Sequence, residues 1–187
     1  KASTKRQVGS TFKPIVYAMA IEKGVLPCET VSAGRETYID KEGVKWTPRN
    51  SQNDYEVEYT MRGALAYSVN TLCVKLIQEA GVVNTIALAR KMGITSEMPE
   101  VPSIALGASS ISLMEMTTAY SCFANDGLAV APYYIESIRD LEGNEFGDFK
   151  PEAPAARAMS SETAQLVTRM MQTVVQEGTA SRLRWRY

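Results

Sequence analysis

One helix-length segment near the start of the chain, residues 12–21, is apolar on every face except for a single lysine, Lys13. Its apolar side chains recur at the i, i+3 and i+4 spacing of a helix and also occupy the opposite face (Phe12, Ile15, Val16, Met19, Ala20; Pro14, Ala18, Ile21). A helix that is apolar all round is typical of a protein interior. We therefore expect a central buried helix over residues 10–23, ended by Gly24.

The lone lysine has a serine three residues before it, which makes Ser10 and Lys13 neighbours on the predicted helix. Burial lowers the pKa of a lysine, so its amine could act as a base toward the Ser10 hydroxyl. The helix N-terminus would favour an oxyanion formed near Ser10. The structural alternative is that Ser10 caps the helix and Lys13 extends to solvent.

The chain contains no histidine. A Ser-His-Asp triad or a Cys-His dyad therefore cannot be built from this chain alone. If a serine here is a nucleophile, its base is a lysine, a carboxylate or a residue on another segment. The three cysteines show no CxxC pair and no metal-ligand spacing, and we predict no metal and no cofactor. Cys73 and Cys122 lie in helical apolar patterns and are predicted to be small core residues, whereas Cys28 has no assigned role.

Composition excludes some partners. A net charge of −1 gives no basic field for nucleic acid, and 45% hydrophobic residues over 187 positions are enough for one domain with a core. No apolar run reaches the roughly 18 residues of a membrane span, so membrane attachment would depend on other segments. The chain starts without a methionine in a polar run, and both ends look cut. We expect it to be a piece of a longer protein.

The remaining pattern predicts a mixed α+β fold, with a helical lobe over about residues 60–178. Helices are expected from Thr60, through residues 69–80 to Gly81, over about 84–92, from Ser112, and over about 161–177. Ser112 and Glu115 form a capping-box pattern. Two short hairpins are expected, with turns at residues 41–43 and 142–144.

Two Ser-x-Asn triplets could supply a second hydroxyl and an amide to a site around Ser10. Ser51 and Asn53 lie in a polar loop, where nothing fixes their geometry. Ser68 and Asn70 lie between two strongly patterned helices, and rigid support is what a site needs. We favour Ser68 and Asn70, although Ser68 could also serve as the N-cap of the helix that follows.

Several segments together resemble the transpeptidase domain of class A penicillin-binding proteins. "GSTFKP" and "YSVN" match the family's Ser-x-x-Lys and Ser-x-Asn motifs. "VKWTPRN" resembles its Trp-x-Pro-x-Asn segment, and "TMRGALAYSVNT" resembles the run that carries the second motif. "PSIALGASSISLMEMTTAYSCFANDG" and "VVQEGTA" are similar to later family segments. The resemblance covers essentially the whole chain in the right order, and it implies the serine β-lactamase and D,D-transpeptidase-like fold.

The resemblance assigns roles residue by residue. It implies that Ser10 is the acylated nucleophile and that Lys13 takes its proton. Ser68 would relay a proton to the leaving group, and Asn70 would hold the substrate amide. Val8 stands where the family often has proline. The family's Lys-Thr-Gly strand does not occur in the chain, and the strands that precede the first helix in the family are also absent.

The implied activity is acyl transfer that cross-links the D-Ala-D-Ala stem peptides of peptidoglycan, with covalent binding of β-lactams at the same serine. The implied location is the outer face of the bacterial cytoplasmic membrane, with a glycosyltransferase domain upstream. Without the missing strand, the chain alone is expected to be inactive. The missing strands should also leave one flank of the first helix uncovered, which favours self-association.

Three alternatives stay open on the sequence. A β-lactamase would share Ser10 and Lys13 but needs a deacylating group, and no Glu-x-x-Leu-Asn pattern is present. A β-lactam sensor would be acylated without turnover. A helical scaffold would use both motifs only as caps.

Overall fold

Six α-helices are the main regular elements in the part of the chain that the structure describes. This structure is a computed structural model, and it describes residues 2–39, 43–51, 53–149 and 155–185. The helices are α1 (Lys13–Glu22), α2 (Met61–Ala66), α3 (Asn70–Ala80), α4 (Val82–Lys91), α5 (Leu113–Ala124) and α6 (Ser161–Gln176). Short 3-10 helices span Gly9–Phe12, Pro102–Leu106 and Ser181–Trp185.

The strands are short and form two-stranded antiparallel pairs. They are β1 (Lys5–Gln7), β2 (Thr30–Ser32), β3 (Tyr38–Ile39), β4 (Lys45–Trp46), β5 (Glu58–Thr60), β6 (Ser110–Ser112), β7 (Leu128–Ala129), β8 (Ser137–Arg139), β9 (Glu145–Asp148) and β10 (Ala156–Arg157). β1 pairs with β6, β2 with β5, β3 with β4, β7 with β10 and β8 with β9. The mixed helix and strand content confirms the predicted α+β class.

The central helix is present but begins later than the predicted residue 10. A 3-10 helix over Gly9–Phe12 precedes α1, and the N–H of Lys13 donates to the carbonyl oxygen of Ser10. Pro14 lies in the first turn of α1, where its missing N–H costs least. Ser10 is therefore in a tight turn ahead of the α-helix.

The helix α1 is covered by other helices, so the expected uncovered flank is wrong. α2, α3, α4 and α6 all pack against it. Most of α1 is buried, and only its last turn and Met19 are partly or fully exposed. A largely apolar groove lies instead beside β1 and α5, lined in part by Val8, Ile111, Leu113, Met116 and Tyr120. The error arose because the sequence does not show that the helical lobe alone surrounds α1.

Most helix ends agree with their sequence signals. The side chain of Thr60 caps α2, and the Ser112–Glu115 capping box at the start of α5 is confirmed. Gly81 separates α3 from α4, which starts at Val82 instead of the predicted residue 84. Ser160 caps α6. These ends are set by side chains and glycines close in sequence, which is why the pattern predicts them.

The local hairpins agree with the sequence pattern, whereas the long-range strand pairs have no sequence signal. β8 and β9 form the expected hairpin. β3 pairs with β4 as expected, while residues 41 and 42 of its predicted turn lie outside the described residues. β1 and β6 pair across about a hundred residues of chain. Because no local pattern links such strands, only the fold itself reveals the pairing.

Within the described ranges, no single helix is long and apolar enough to cross a membrane; α3 and α4 meet that criterion only as a pair, which bends by 90° between them.

Candidate active site

Ser10 lies in an exposed tight turn that is held by close backbone contact with the segment after Leu106. The N–H of Gly9 donates to the carbonyl oxygen of Gly107 at 3.2 Å, and the N–H of Val8 donates to that of Ser109 at 3.2 Å. Gly107 has a φ of +72°, and a Cβ there would overlap the Gly9 carbonyl oxygen. Only glycine fits this close approach. The backbone just before Ser10 is therefore fixed from a distant part of the chain.

Ser68 occupies the left-handed position that ends α2. The N–H of Ser68 donates to the Leu65 carbonyl oxygen and that of Val69 to the Ala64 carbonyl oxygen, which is the Schellman pattern. Ser68 has a φ of +57°. Glycine is the usual residue at this position, and a serine there carries backbone strain of about 1–3 kcal/mol. This geometry turns the Ser68 side chain toward α1, so Ser68 does not cap α3.

Lys13 is 1% exposed, and its amine is surrounded by oxygen atoms from the α2–α3 junction. Its Nζ donates to the Ser68 carbonyl oxygen at 2.7 Å, to Ser68 Oγ at 2.9 Å and to Asn70 Oδ1 at 2.7 Å. An ammonium has three N–H donors and all three are used. The alternative that Lys13 extends to solvent is therefore wrong.

Ser68 lies between Lys13 and Ser10. Ser68 Oγ is 3.0 Å from Ser10 Oγ and 2.9 Å from Lys13 Nζ. Among the described residues, Lys13 and Ser10 share no side-chain hydrogen bond, so the hydrogen-bonded path from the amine to the Ser10 hydroxyl runs through Ser68. The structure thus places the two serines and the lysine in one hydrogen-bonded chain.

Burial lowers the pKa of Lys13 from 10.5 to about 8, partly offset by the Coulomb interaction with Cys73. The Cys73 thiol is completely buried and donates to the Ala105 carbonyl oxygen at 3.4 Å. Its burial raises its pKa to about 12, so it stays neutral beside the lysine. Lys13 is therefore the group of this cluster that can lose a proton near neutral pH.

The structure brings Ser10, Lys13, Ser68 and Asn70 together. Ser51 lines a small cavity that Ser68 also lines, but among the described residues neither Ser51 nor Asn53 has a hydrogen bond to the four. Asn53 is exposed and accepts a hydrogen bond from the Tyr55 hydroxyl at 3.3 Å. The residue between Ser51 and Asn53 lies outside the described residues. Asn70 Nδ2 donates to the Arg49 carbonyl oxygen at 2.8 Å, which directs its Oδ1 toward Lys13.

Sequence reasoning missed one residue next to this cluster. Asn50 is 9% exposed, and its Oδ1 accepts from the N–H groups of Asn70 and Thr71, each at 3.0 Å. No local pattern marks Asn50, because its partners are about twenty positions away. Its only sequence signal is its place as the last residue of the Trp-x-Pro-x-Asn segment. Both buried cysteines are core residues as predicted, and Cys28 is exposed.

A mixed α+β fold around a buried helix, with a serine in the turn before it and a lysine in its first turn, is the fold of serine acyl transferases of the penicillin-binding kind. The family of the penicillin-binding protein transpeptidase domain matches residues 1–186, and the chain belongs to that family.

Two similar relatives are both named penicillin-binding protein 1A. The relative from Aquifex aeolicus is 33% identical over 95% of this chain, and the one from Neisseria lactamica is 35% identical over 94%. The chain spans 24% and 23% of their lengths, about a quarter of each.

Solved structures share the fold. Penicillin-binding protein 1A from Haemophilus influenzae superimposes with a TM-score of 0.88 at 26% identity, over 98% of this chain and 33% of that one. The PonA1 protein from Mycobacterium tuberculosis in complex with penicillin V gives 0.78 at 22%, over 93% and 48%. The imipenem acyl-enzyme complex of penicillin-binding protein A, also from M. tuberculosis, gives 0.78 at 20%, over 94% and 45%.

Proposed function

We propose that this chain is part of a D,D-transpeptidase domain, in which Ser10 is acylated by D-Ala-D-Ala stem peptides of peptidoglycan. The observation that carries the proposal is the hydrogen-bonded chain from Ser10 through Ser68 to Lys13. A serine is a weak nucleophile at its ordinary pKa and needs a base. This chain of hydrogen bonds connects the serine to the amine with the lowered pKa.

The neutral amine of Lys13 has one arrangement that satisfies all its neighbours. It keeps two N–H donors, and the Ser68 carbonyl oxygen and Asn70 Oδ1 can only accept. Both N–H groups are therefore used by these two oxygens, and the lone pair faces Ser68 Oγ. In this state the Ser68 hydroxyl donates to Lys13 and can accept a proton from Ser10.

The first half-reaction follows from this geometry. The Ser10 proton passes to Ser68 Oγ while the proton of Ser68 passes to Lys13 Nζ, and Ser10 Oγ bonds to the peptide carbonyl carbon. The N–H of Ser10, at the start of the 3-10 helix, is one donor to the oxyanion. When the carbon–nitrogen bond breaks, the proton returns from Lys13 through Ser68 to the nitrogen of the departing D-alanine. Ser10 is left as an acyl ester.

The second half-reaction reverses the proton path. The amine of a neighbouring stem peptide attacks the ester carbonyl and gives its proton through Ser68 to Lys13. The carbon–oxygen bond to Ser10 breaks, and the proton returns to Ser10 Oγ. In the proposal Asn70 also uses its second amide N–H to hold the substrate, while its Oδ1 remains with Lys13.

Other parts of the proposal concern the longer protein. A Lys-Thr-Gly strand outside these 187 residues supplies the second oxyanion donor, so the chain alone reacts poorly. The domain lies on the outer face of the cytoplasmic membrane and is anchored by other segments. β-Lactams bind covalently at Ser10. Supporting this, two proteins of the same fold are named as complexes with penicillin V and with acylating imipenem.

Labelling by penicillin and intact mass measurement test the proposal on the full-length protein that contains this chain. We expect one adduct per molecule, located on Ser10 by peptide mapping, and none in Ser10→Ala. Ser51→Ala is the matched control, because Ser51 belongs to the other triplet, and it should be labelled like the wild type. An adduct on another residue, or labelling of Ser10→Ala, would contradict the assignment of the nucleophile.

The alternatives give different outcomes in the same samples. A β-lactamase would lose the adduct rapidly and release hydrolysed penicillin. A sensor would keep the adduct but fail to transfer the acyl group of a D-Ala-D-Ala peptide to an added amine such as glycine. A scaffold would form no adduct. A transpeptidase forms an adduct that water removes only slowly, and it gives the amide product with the acceptor.

A further inference from the structure

The helix α3 begins beside Lys13 but has no cap of its own. Val69 precedes its first residue and has no side chain that can accept a hydrogen bond. The hydroxyl of Ser68 is directed to Ser10 and Lys13. The first N–H groups of a helix need acceptors when they are buried. The start of α3 is therefore supported from elsewhere.

Asn50 provides this support from twenty residues earlier. Its Oδ1 accepts from the N–H groups of Asn70 and Thr71 at 3.0 Å each. Its Nδ2 donates to the Asp54 carbonyl oxygen at 3.0 Å and to Thr71 Oγ1 at 3.1 Å. All the hydrogen-bonding capacity of the amide is used. A rotated amide would set its N–H groups against those of α3, so its orientation is fixed.

The carbonyl group next to Asn50 orients the side chain of Asn70. Asn70 Nδ2 donates to the Arg49 carbonyl oxygen at 2.8 Å. The Oδ1 of the same amide must then face the opposite way, where it accepts from Lys13 Nζ at 2.7 Å. Residues 49 and 50 thus position both the main chain and the side chain of Asn70. Through Asn70 they determine where one N–H of Lys13 points.

We propose that Asn50 is a positioning residue for acylation, which acts through Asn70 to hold the Lys13 amine with its lone pair toward Ser68. This inference rests on the proposed function. Without Asn50, the first turn of α3 loses its acceptor and Asn70 moves away from Lys13. The amine then has one fixed acceptor instead of two, and its lone pair is no longer directed at Ser68 Oγ. Acylation slows although all four residues of the reaction remain.

The test compares Asn50→Ala with Asn50→Asp and with a control cap in the full-length protein. Asn50→Ala should slow acylation by penicillin by about 10²-fold, while noncovalent affinity before acylation changes less than about threefold. Asn50→Asp keeps an acceptor for both N–H groups of α3 but sets its second oxygen against the Asp54 carbonyl oxygen, so it should recover only part of that loss. Ser160→Ala removes the cap of α6 and should lower the melting temperature without slowing acylation.

Lysine NMR provides a readout that does not need activity. With ¹³C-labelled lysine, we expect the pKa of Lys13 to move in Asn50→Ala from about 8 toward its ordinary 10.5, because water reaches the amine. Cys73, the titratable neighbour identified at Lys13, stays neutral over this range, since burial raises its pKa to about 12. The Lys13 signal is assigned as the one that is missing from the spectrum of Lys13→Met.

The outcomes test the positioning role of Asn50 and the proposed transpeptidase function separately. A shifted Lys13 signal in a protein that is never acylated would support the positioning and reject the proposed function. Acylation of the wild type with an unchanged rate and an unchanged signal in Asn50→Ala would overturn the positioning. The positioning is also overturned if Ser160→Ala slows acylation as much as Asn50→Ala does, because the effect would then be general loss of stability.

Discussion

Two clusters in this molecule each hold one ionisable side chain among polar hydrogen-bonding groups, and they differ in the charge state that these surroundings favour. In the Lys13 cluster (Lys13, Ser10, Ser68, Asn70) burial lowers the pKa and favours the neutral amine. In the Glu115 cluster (Glu115, Thr95, Ser96, Ser112) the carboxylate accepts from the N–H and hydroxyl groups of three residues at 2.6–3.0 Å. Desolvation raises the pKa of Glu115, but the hydrogen bonds from Ser112 and Ser96 outweigh it and hold the pKa well below 4.5.

The difference separates a cluster that stabilises the fold from one that strains it. The Glu115 carboxylate joins the 95–96 loop to the start of α5, and its charge is satisfied by donors. The Lys13 cluster keeps a cation nearly out of water and a serine in a left-handed conformation. Perturbed groups of this costly kind are typical of functional sites. The two clusters should therefore respond in opposite ways to substitution and to pH.

The largest expected effect is the loss of acylation in Lys13→Met. Methionine has a similar length and keeps the core filled, but it cannot accept a proton, and loss of a general base slows a reaction by about 10²–10⁴-fold. Stopped-flow acylation of the full-length protein measures the rate, and circular dichroism confirms that the variant is folded. Labelling at the wild-type rate would show that Lys13 is not the base.

Lys13 also gives the folded protein a characteristic alkaline response. Because its pKa falls from 10.5 to about 8 on folding, the unfolded chain binds more protons between these values. Wild-type stability should therefore rise with pH over this window, by about 3 kcal/mol relative to Lys13→Met. Urea unfolding of both proteins at several pH values measures the difference between their free energies of unfolding. The contributions of the other titrating groups cancel in that difference. A constant difference would mean that burial does not perturb Lys13.

The next largest expected effect is a loss of stability in Glu115→Gln, with no direct effect on acylation. The amide places an NH₂ group where a carboxylate oxygen accepted hydrogen bonds, which we expect to cost about 2 kcal/mol near neutral pH. The depressed pKa means that the Glu115 carboxylate stabilises the fold above 4.5 and loses this contribution as the pH falls toward its folded pKa. The difference in free energy of unfolding between wild type and variant should therefore become smaller as the pH is lowered. A difference that stays the same in acid would contradict the role of the Glu115 charge.

The two clusters also show what the sequence can and cannot predict. The Ser112–Glu115 capping box is predictable because its members are three residues apart, but the contacts from Thr95 and Ser96 are not. Ser10, Lys13, Ser68 and Asn70 all follow from motifs and helix patterns. Their order in space does not, since Ser68 meets Lys13 and Ser10 across 55 and 58 positions of chain and no local pattern shows that it lies between them.

Contacts between distant segments account for the other gaps. The hydrogen bonds from Asn50 to the start of α3 and the pairing of β1 with β6 both depend on how far-apart segments meet. Periodicity describes one segment at a time and cannot supply that information. Helix ends such as Gly81 are predictable because the signal and the structure occupy the same few residues.

The smallest expected effect separates the strain at Ser68 from its chemistry, by comparing Ser68→Gly with Ser68→Ala. Both variants lack the hydroxyl that links Ser10 to Lys13, so acylation should slow equally in both, by about 10²-fold or more. They differ in the backbone, because Ser68 has a φ of +57° at a Schellman position that suits glycine. Glycine loses more conformational entropy on folding than alanine does, but it adopts the left-handed backbone without strain. We therefore expect Ser68→Gly to be the more stable of the two variants by about 1 kcal/mol. Urea unfolding measures the stability of the two variants, and stopped-flow acylation measures their reaction rates.

If Ser68→Ala is at least as stable as Ser68→Gly, the backbone at residue 68 is not strained. If the two variants differ strongly in acylation rate, then main-chain geometry contributes to the reaction as well as the hydroxyl.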